Sequence, residues 1–221
     1  MTTAHAQLPR NIVAIDIETG SLKQDAQVFS IGVAWMADGI PCSREIRVLN
    51  DLFDDMDLLP SEDGELLVSH QPGRRIDQDT ANWWNSEDTA TARSHLQMDF
   101  IEAVPLATAL VELSDLLGGL GVDAESADPE GGEIWVTAID LDCAVLRHAF
   151  DQHGLRQPWY YRRQRCLRTY AATVAELVGF ERLAGIDAQI QHYGAHQADA
   201  DALHNLHRVA VYRQVIEELR A

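Results

Sequence analysis

The segment Ile12-Val13-Ala14-Ile15-Asp16-Ile17-Glu18-Thr19-Gly20 constrains the fold more than any other part of the chain. Its apolar run, rich in β-branched residues, reads as a buried strand, and Thr19-Gly20-Ser21 supplies the turn that stops it. A strand's period of two places Asp16 and Glu18 on one face. Two like charges at the end of a buried strand repel each other and resist desolvation, so they need a wet cleft or a compensating cation. Mg2+ and Mn2+ meet that need, because hard cations prefer carboxylate oxygens and keep several waters open for substrate. Taken alone, the pair is explained more simply by a strand that surfaces into a polar turn, since D-x-E often arises by chance.

Val28 to Met36 and Ile40 to Val48 read as two more strands with Asp38-Gly39 as a short hairpin turn between them, which makes the first fifty residues a three-stranded meander. From Asp77 the pattern turns helical. Leu106, Leu110, Leu113 and Leu117 recur at helical spacing behind Pro105, and Gly118-Gly119 ends that helix. Glu133 to Ile139 predicts a strand, Leu141 to His153 a helix, Gln164 to Leu167 a short strand, and Ala171 to Val178 and Ala198 to Leu219 two further helices. A meander followed by alternating helices and strands predicts an α/β fold with a mixed sheet flanked by helices. The 221 residues are expected to form one domain over 11–221 behind an N-terminal tail of 1–10. An acidic excursion at about 51–65 and a flexible loop at about 121–133 embellish it.

Thirty-five acidic residues face 17 basic ones, of which only Lys23 is lysine, for a formal net charge of −18. A chain so acidic does not coat polyanions in general, and a nucleic-acid ligand would require a locally basic surface or bound metal. The charge weighs more against a passive binding module than against an enzyme. Cys42, Cys143 and Cys166 are odd in number and widely spaced with no C-x-x-C pairing, so they are expected to be reduced, buried and chemically idle. Met1 to Arg10 lacks the apolar stretch of a signal peptide, and no run approaches the roughly 20 apolar residues of a membrane span. The expectation is a soluble, cytoplasmic protein without a membrane partner.

Two further features carry chemistry. His196-Gln197-Ala198-Asp199-Ala200-Asp201 follows Gly194 and leads into the last helix, so His196 in the loop and Asp201 one turn into the helix can face the same cleft. A histidine there has an intrinsic pKa suited to taking a proton from water near neutral pH. An exposed histidine beside a helix-capping Asp199 is the competing explanation. His192, His204 and His207 have no comparable setting and read as surface residues. The stretch Trp135 to Asp142 adds a carboxylate at a strand end, where ligands of open α/β sheets gather. Asp140 and Asp142 compete for that role; Asp142 is favoured by Leu141 and Leu146 on a helical pattern, while Asp140 could cap the helix.

In this order the three features resemble the DEDDh 3′→5′ exonucleases of the ribonuclease H-like superfamily. Asp16 and Glu18 match the first motif of that family, Asp142 the second, and His196 with Asp201 the third, the H-x4-D box. The resemblance spans Ile12 to Tyr212 and is strongest to the phage exodeoxyribonuclease A and mycobacterial exoribonuclease-like group. It is supported there by Asp77-x-x-Thr80-x-x-Trp83-Trp84 and by the stretch Leu155 to Thr169. Thr137, where many relatives carry asparagine, and the extra acid Asp140 depart from the pattern. The resemblance implies a ribonuclease H-like sheet and two Mg2+ or Mn2+ ions, about 3.5–4 Å apart, held by Asp16, Glu18, Asp142 and Asp201. It further implies His196 as general base, single-stranded RNA or DNA with a free 3′ end as substrate, and nucleoside 5′-monophosphates as products. It also allows a homodimer.

Candidate substrate contacts are Thr19 and Gly20 beside the first carboxylate pair, Trp83 and Trp84, and Arg163 and Arg165 within the basic stretch Trp159 to Arg168. Aromatics interleaved with arginines can stack bases and bind phosphate, although such a stretch can equally form a partner interface or pair with the chain's own acids. Two adjacent tryptophans on a helix cannot share one face, so one of them is expected in the core. Rival readings are a ribonuclease H-like endonuclease, a phosphodiesterase for very short oligonucleotides, and a catalytically silent nucleic-acid-binding module.

Overall fold

The computed structural model describes residues 12–52, 70–98, 102–122, 124–125 and 132–221. The N-terminal tail, nearly all of the acidic excursion and much of the 121–133 loop lie outside the described residues.

The expected buried strand, β1 (Ile12–Thr19), is the middle of the five-stranded sheet formed by the described residues, with β2 (Val28–Ala37), β3 (Ile40–Arg47), β4 (Glu133–Val136) and β5 (Gln164–Cys166) in the order β3-β2-β1-β4-β5. The first three strands pair antiparallel, whereas β4 runs parallel to β1 and β5 parallel to β4. This is the mixed α/β sheet of the ribonuclease H-like expectation. Asp38 and Gly39 make the β2–β3 hairpin with φ of 50° and 82°, the positive pair that a tight two-residue hairpin turn demands.

Alternation along β1 decides what each face does. Val13, Ile15 and Ile17 point into one core with α3 (Leu106–Gly119) and α4 (Ala144–Gln152). Ile12 and Ala14 point into the other, with α5 (Leu167–Val178) and α7 (Ala198–Arg220). Continued by two residues at a time, the second row brings Asp16 and Glu18 onto the α7 face. Burial of the Val13-Ile15-Ile17 row contributes roughly 5–9 kcal/mol, enough to hold a strand in place with two carboxylates at its end. A third, smaller core joins Phe29 and Ile76 to Ala81, Trp84, Ala92 and Leu96 from α1 (Gln78–Trp84) and α2 (Ala90–Met98).

Helix α7 approaches the sheet at Gly32, the β2 partner of Asp16. A Cβ at Gly32 would lie 1.9 Å from the carbonyl oxygen of Ala198 and 2.4 Å from the nitrogen of Asp199, so only glycine admits the first turn of α7 there.

Three local expectations differ from the structure. β4 ends at Val136 instead of Ile139, and a π-helical turn (Ile139–Cys143) precedes α4. The diversion is held by a reciprocal pair at 3.0 Å: the amide of Asp142 donates to the Ala138 carbonyl, and the amide of Ala138 donates to Oδ2 of Asp142. Helix α5 begins at Leu167, and Gly179, with φ of 92°, separates it from an unexpected α6 (Phe180–Asp187). Only Leu183 of α6 is buried while Phe180 is exposed, which leaves little apolar periodicity to read. The cysteines are free, but Cys42 and Cys166 are partly exposed and only Cys143 is buried. Among the described residues no helix is long and apolar enough to cross a membrane.

Candidate active site

The carboxylate end of β1 opens into a cavity of about 600 Å3. That volume suits a small ligand. β1 contributes Asp16, Glu18 and Thr19, α1 contributes Trp83 and Trp84, and the turn after β4 contributes Thr137, Ala138 and Asp142. Arg168 enters from α5, and His196, Asp201 and Asn205 from the start of α7. Sequence-distant segments thus bring Asp16, Glu18, Asp142, His196 and Asp201 together. Asp140 is exposed and does not line the cavity.

The cluster is crowded with desolvated negative charge. Burial holds the Asp16 carboxyl well above the usual carboxylate range, and the charges of Asp142, Glu18 and Asp201 add to the effect. Glu18 is pushed up to about 8 by burial and then by Asp201 and Glu45. Asp142 is raised to about 6 by burial, against the opposing pull of the Ala138 amide, its own amide and Arg168. Burial also raises Asp201, which His192 partly offsets. Asn205 extends Nδ2 to within 3.4 Å of Asp16 Oδ1 and donates to Thr137 Oγ1 at 2.9 Å. Near neutral pH such a group must either retain protons or take up cations. Oxygen-rich donors fit hard divalent ions, and one ligand atom each from Glu18, His196 and Asp201 lie within 4.8 Å of one another.

His196 adopts a positive φ of 60°, uncommon for a residue with a side chain. The turn is held from both sides. Its amide donates to Asp201 Oδ2 at 2.8 Å, and its ring meets Trp83 edge to face with centroids 4.7 Å apart. The adjacent tryptophans divide as expected: Trp84 is buried and donates Nε1–H to the Thr19 carbonyl at 3.0 Å, while Trp83 is 40% exposed at the rim. Gly20 packs against Ile76 and Phe29 and lies outside the cavity lining.

Several neighbours escaped the sequence reading. His192, expected to be an uninvolved surface residue, hydrogen-bonds through Nε2 to Asp201 Oδ1 and stacks on His204 at 4.4 Å. No spacing rule marks it. Asn205 follows Asp201 by one helical turn, so the i, i+4 relation could have flagged a polar residue on a buried face.

Arg163 and Arg165 are not brought to the cluster. Arg165 pairs with Trp135, and Trp135 is level with neighbouring Ala14, so both arginines sit toward the beginning of the parallel strands. Arg163 is buried, and Arg165 bonds to Glu133 at 3.2 Å. Arg74 is buried against the Ala26 carbonyl, and Arg75 pairs with Asp25 at 2.8 Å. A second donor group, Glu45, His95 and Asp199, is also compact. There the guanidinium of Arg47 lies 2.8 Å from Glu45 and 3.0 Å from His95, so an internal cation already compensates the charge.

Residues 11–213 match the family described as the 3′-5′ exoribonuclease Rv2179c-like domain. The chain belongs to this family. A solved structure, the crystal structure of cell-death related nuclease 4 (CRN-4), superposes with a TM-score of 0.58 at 12% identity. The match covers 94% of the present chain and 64% of that nuclease, so the chain spans less than two thirds of its length, and the shared property is the fold. A comparison with curated proteins found no match. For this exoribonuclease-like domain, family and fold agree with the DEDDh, ribonuclease H-like reading of the sequence.

Proposed function

We propose that the chain is a 3′→5′ exonuclease that hydrolyses single-stranded nucleic acid to nucleoside 5′-monophosphates. The observation that carries this reading is the convergence of Asp16, Glu18, Asp142 and Asp201 with His196 on one cavity, in a member of an exoribonuclease family. The raised carboxyls fit divalent cations: Asp16, Glu18, Asp142 and Asp201 would hold two ions, Mg2+ or Mn2+, which when bound supply charge stabilisation for in-line displacement at phosphorus.

The chain's own groups do the rest. The imidazole of His196, oriented by Trp83 and by the bond from its amide to Asp201, takes the proton of the attacking water. Asn205 keeps Asp16 turned toward the cavity. Trp83 and Leu22, both exposed at the rim, offer the flat and apolar surfaces on which an unpaired terminal base stacks. A base paired at a duplex end offers at most its outer face, whereas an unpaired terminal base can be held from both sides, which favours a single strand as the substrate. The family description makes RNA the first substrate to test.

The test is incubation of 3′- and 5′-labelled single-stranded RNA and DNA with Mg2+, Mn2+ or EDTA, beside Asp16→Asn and His196→Ala. The expected result is stepwise shortening from the 3′ end, release of 5′-monophosphates, and losses of about 100-fold or more in either variant. Cleavage that persists in EDTA, or an Asp16→Asn variant as active as wild type, would overturn the proposal. Internal cutting of a strand blocked at its 3′ end would replace it with an endonuclease.

A further inference from the structure

A cavity walled by carboxylates, in a chain of net charge −18, has to receive a polyanion. Among the described residues Arg168 is the only lysine or arginine in the cavity lining. Its position is set by the junction of β5 with α5. The amide of Arg168 donates to the Thr137 carbonyl at 3.3 Å, which ties the first turn of α5 to the end of β4, and the preceding Leu167 is fully buried as an anchor. The guanidinium is exposed, carries no hydrogen bond or ion pair among the described residues, and lines the cavity beside the Thr137–Asp142 turn to which its own amide is tied. The other arginines of the same stretch are engaged elsewhere: Arg165 with Glu133, Arg162 with Tyr161, and Arg163 within the protein. Arg168 thus marks the Asp142 side of the cluster, while Trp83 and His196 mark the Glu18 and Asp201 side.

We propose that Arg168 binds the phosphate of the linkage immediately 5′ of the scissile one. The inference rests on the exonuclease reading above and adds a chain-length requirement to it. In a strand cut from its 3′ end, the scissile phosphate lies over the carboxylates and the terminal nucleoside beyond it ends in a hydroxyl. Any phosphate outside the cluster therefore belongs to the 5′ side. A guanidinium offers two parallel N–H donors to phosphate oxygens, and the N-terminal turn of a twelve-residue helix adds favourable field for the same anion. The preferred substrate is consequently a strand of at least three nucleotides, or a dinucleotide bearing a 5′-phosphate.

Wild type and Arg168→Gln are compared by kcat/KM on three substrates: a dinucleotide with a 5′-hydroxyl, the same dinucleotide with a 5′-phosphate, and a trinucleotide with a 5′-hydroxyl. Loss of one charge-assisted contact on an exposed side chain is expected to lower the second and third by about 10-fold. The first should stay within about twofold, and Arg168→Lys should recover part of the loss. Wild type itself should prefer the second and third. Thermal melting of Arg168→Gln is expected to match wild type, as for other exposed positions. An equal loss on all three substrates places Arg168 at the scissile phosphate or behind Asp142 and overturns the proposal, as does no loss on any. Wild type that shortens longer single strands with Mg2+ or Mn2+ but cleaves none of the three overturns this proposal alone, whereas wild type inactive on longer strands as well overturns the exonuclease reading and this one with it.

Discussion

The amide of His196 donates to Oδ2 of Asp201 at 2.8 Å, so the carboxylate that faces the cavity also fixes the backbone of the neighbouring histidine. The contact closes the loop before α7 into one unit and sustains the positive φ of His196. Charge and position can be separated at this residue. Asp201→Asn keeps an acceptor for the amide and removes the charge, whereas Asp201→Ala removes both. Both variants are expected to be inactive. In EDTA, Asp201→Asn should melt no lower than wild type, because burial already disfavours the charged form. Asp201→Ala should fall below it by about 1–3 kcal/mol for the orphaned donor. Equal melting temperatures in the two variants would show that the bond does not position the loop.

Glu18 gives a stability prediction with a definite sign. Its folded carboxyl titrates at about 8 against an ordinary 4.5. Between those values the folded state keeps a proton that the unfolded chain has released, so stability falls as pH rises and levels off above the folded value. One group contributes at most about 1.4 kcal/mol per pH unit. Metal-free wild type should therefore lose stability relative to Glu18→Gln between about pH 5 and 8. Parallel denaturant-unfolding curves across that window would refute the buried, like-charged setting of Glu18.

Divalent ions should act in the opposite direction. Binding only to the folded state raises stability by about 2.7 kcal/mol at a concentration 100 times Kd. The shift is expected to be larger at pH 8 than at pH 6, because protons on Glu18 and Asp142 compete with the metal. Differential scanning fluorimetry with Mg2+ and Mn2+ checks this, with Asp16→Asn as the variant that should lose most of the shift.

The two tryptophans should separate function from folding. Trp84→Ala leaves a hole in the third core and removes the bond to Thr19, so it should destabilise the fold by about 3–5 kcal/mol. Trp83→Ala should melt near wild type while KM for a single strand rises about 10-fold, in line with the loss of one base-stacking surface. Recovery by Trp83→Phe is the control, and a KM indifferent to position 83 would exclude a stacking role.

Asn205 joins Asp16 to Thr137 from the far side of the cluster. Its replacement by alanine should raise the metal concentration for half-maximal activity by about 10-fold, the scale of losing a group that orients a ligand. A metal titration unchanged in Asn205→Ala would limit the residue to packing.

The sheet and its carboxylate end were legible because alternation in β1 is a local property: Ile12, Ala14, Asp16 and Glu18 share a face by geometry alone. The choice of Asp142 over Asp140 rested on helical phase, and the structure buries Asp142 in the cavity while leaving Asp140 exposed. What escaped depends on partners far apart in the chain. Arg165 looks like a phosphate ligand until Glu133 is beside it, 32 residues away. The early end of β4 follows from a side-chain oxygen that meets an amide four residues back, which hydrophobic periodicity does not record. His192 reaches Asp201 only because the chain folds back over nine residues, a path no motif encodes.

Gly32 carries no functional group, yet the main chain of Ala198 rests where its side chain would be. The obstacle is backbone, so no nearby side chain could shrink to make room for a larger residue. Divergence at this point is all or nothing: a lineage that replaced Gly32 would have to reroute the entry to α7, and with it Asp201 and Asn205, in a single step. The distance between the two halves of the carboxylate cluster is therefore insulated from gradual drift by a residue with no part in the chemistry.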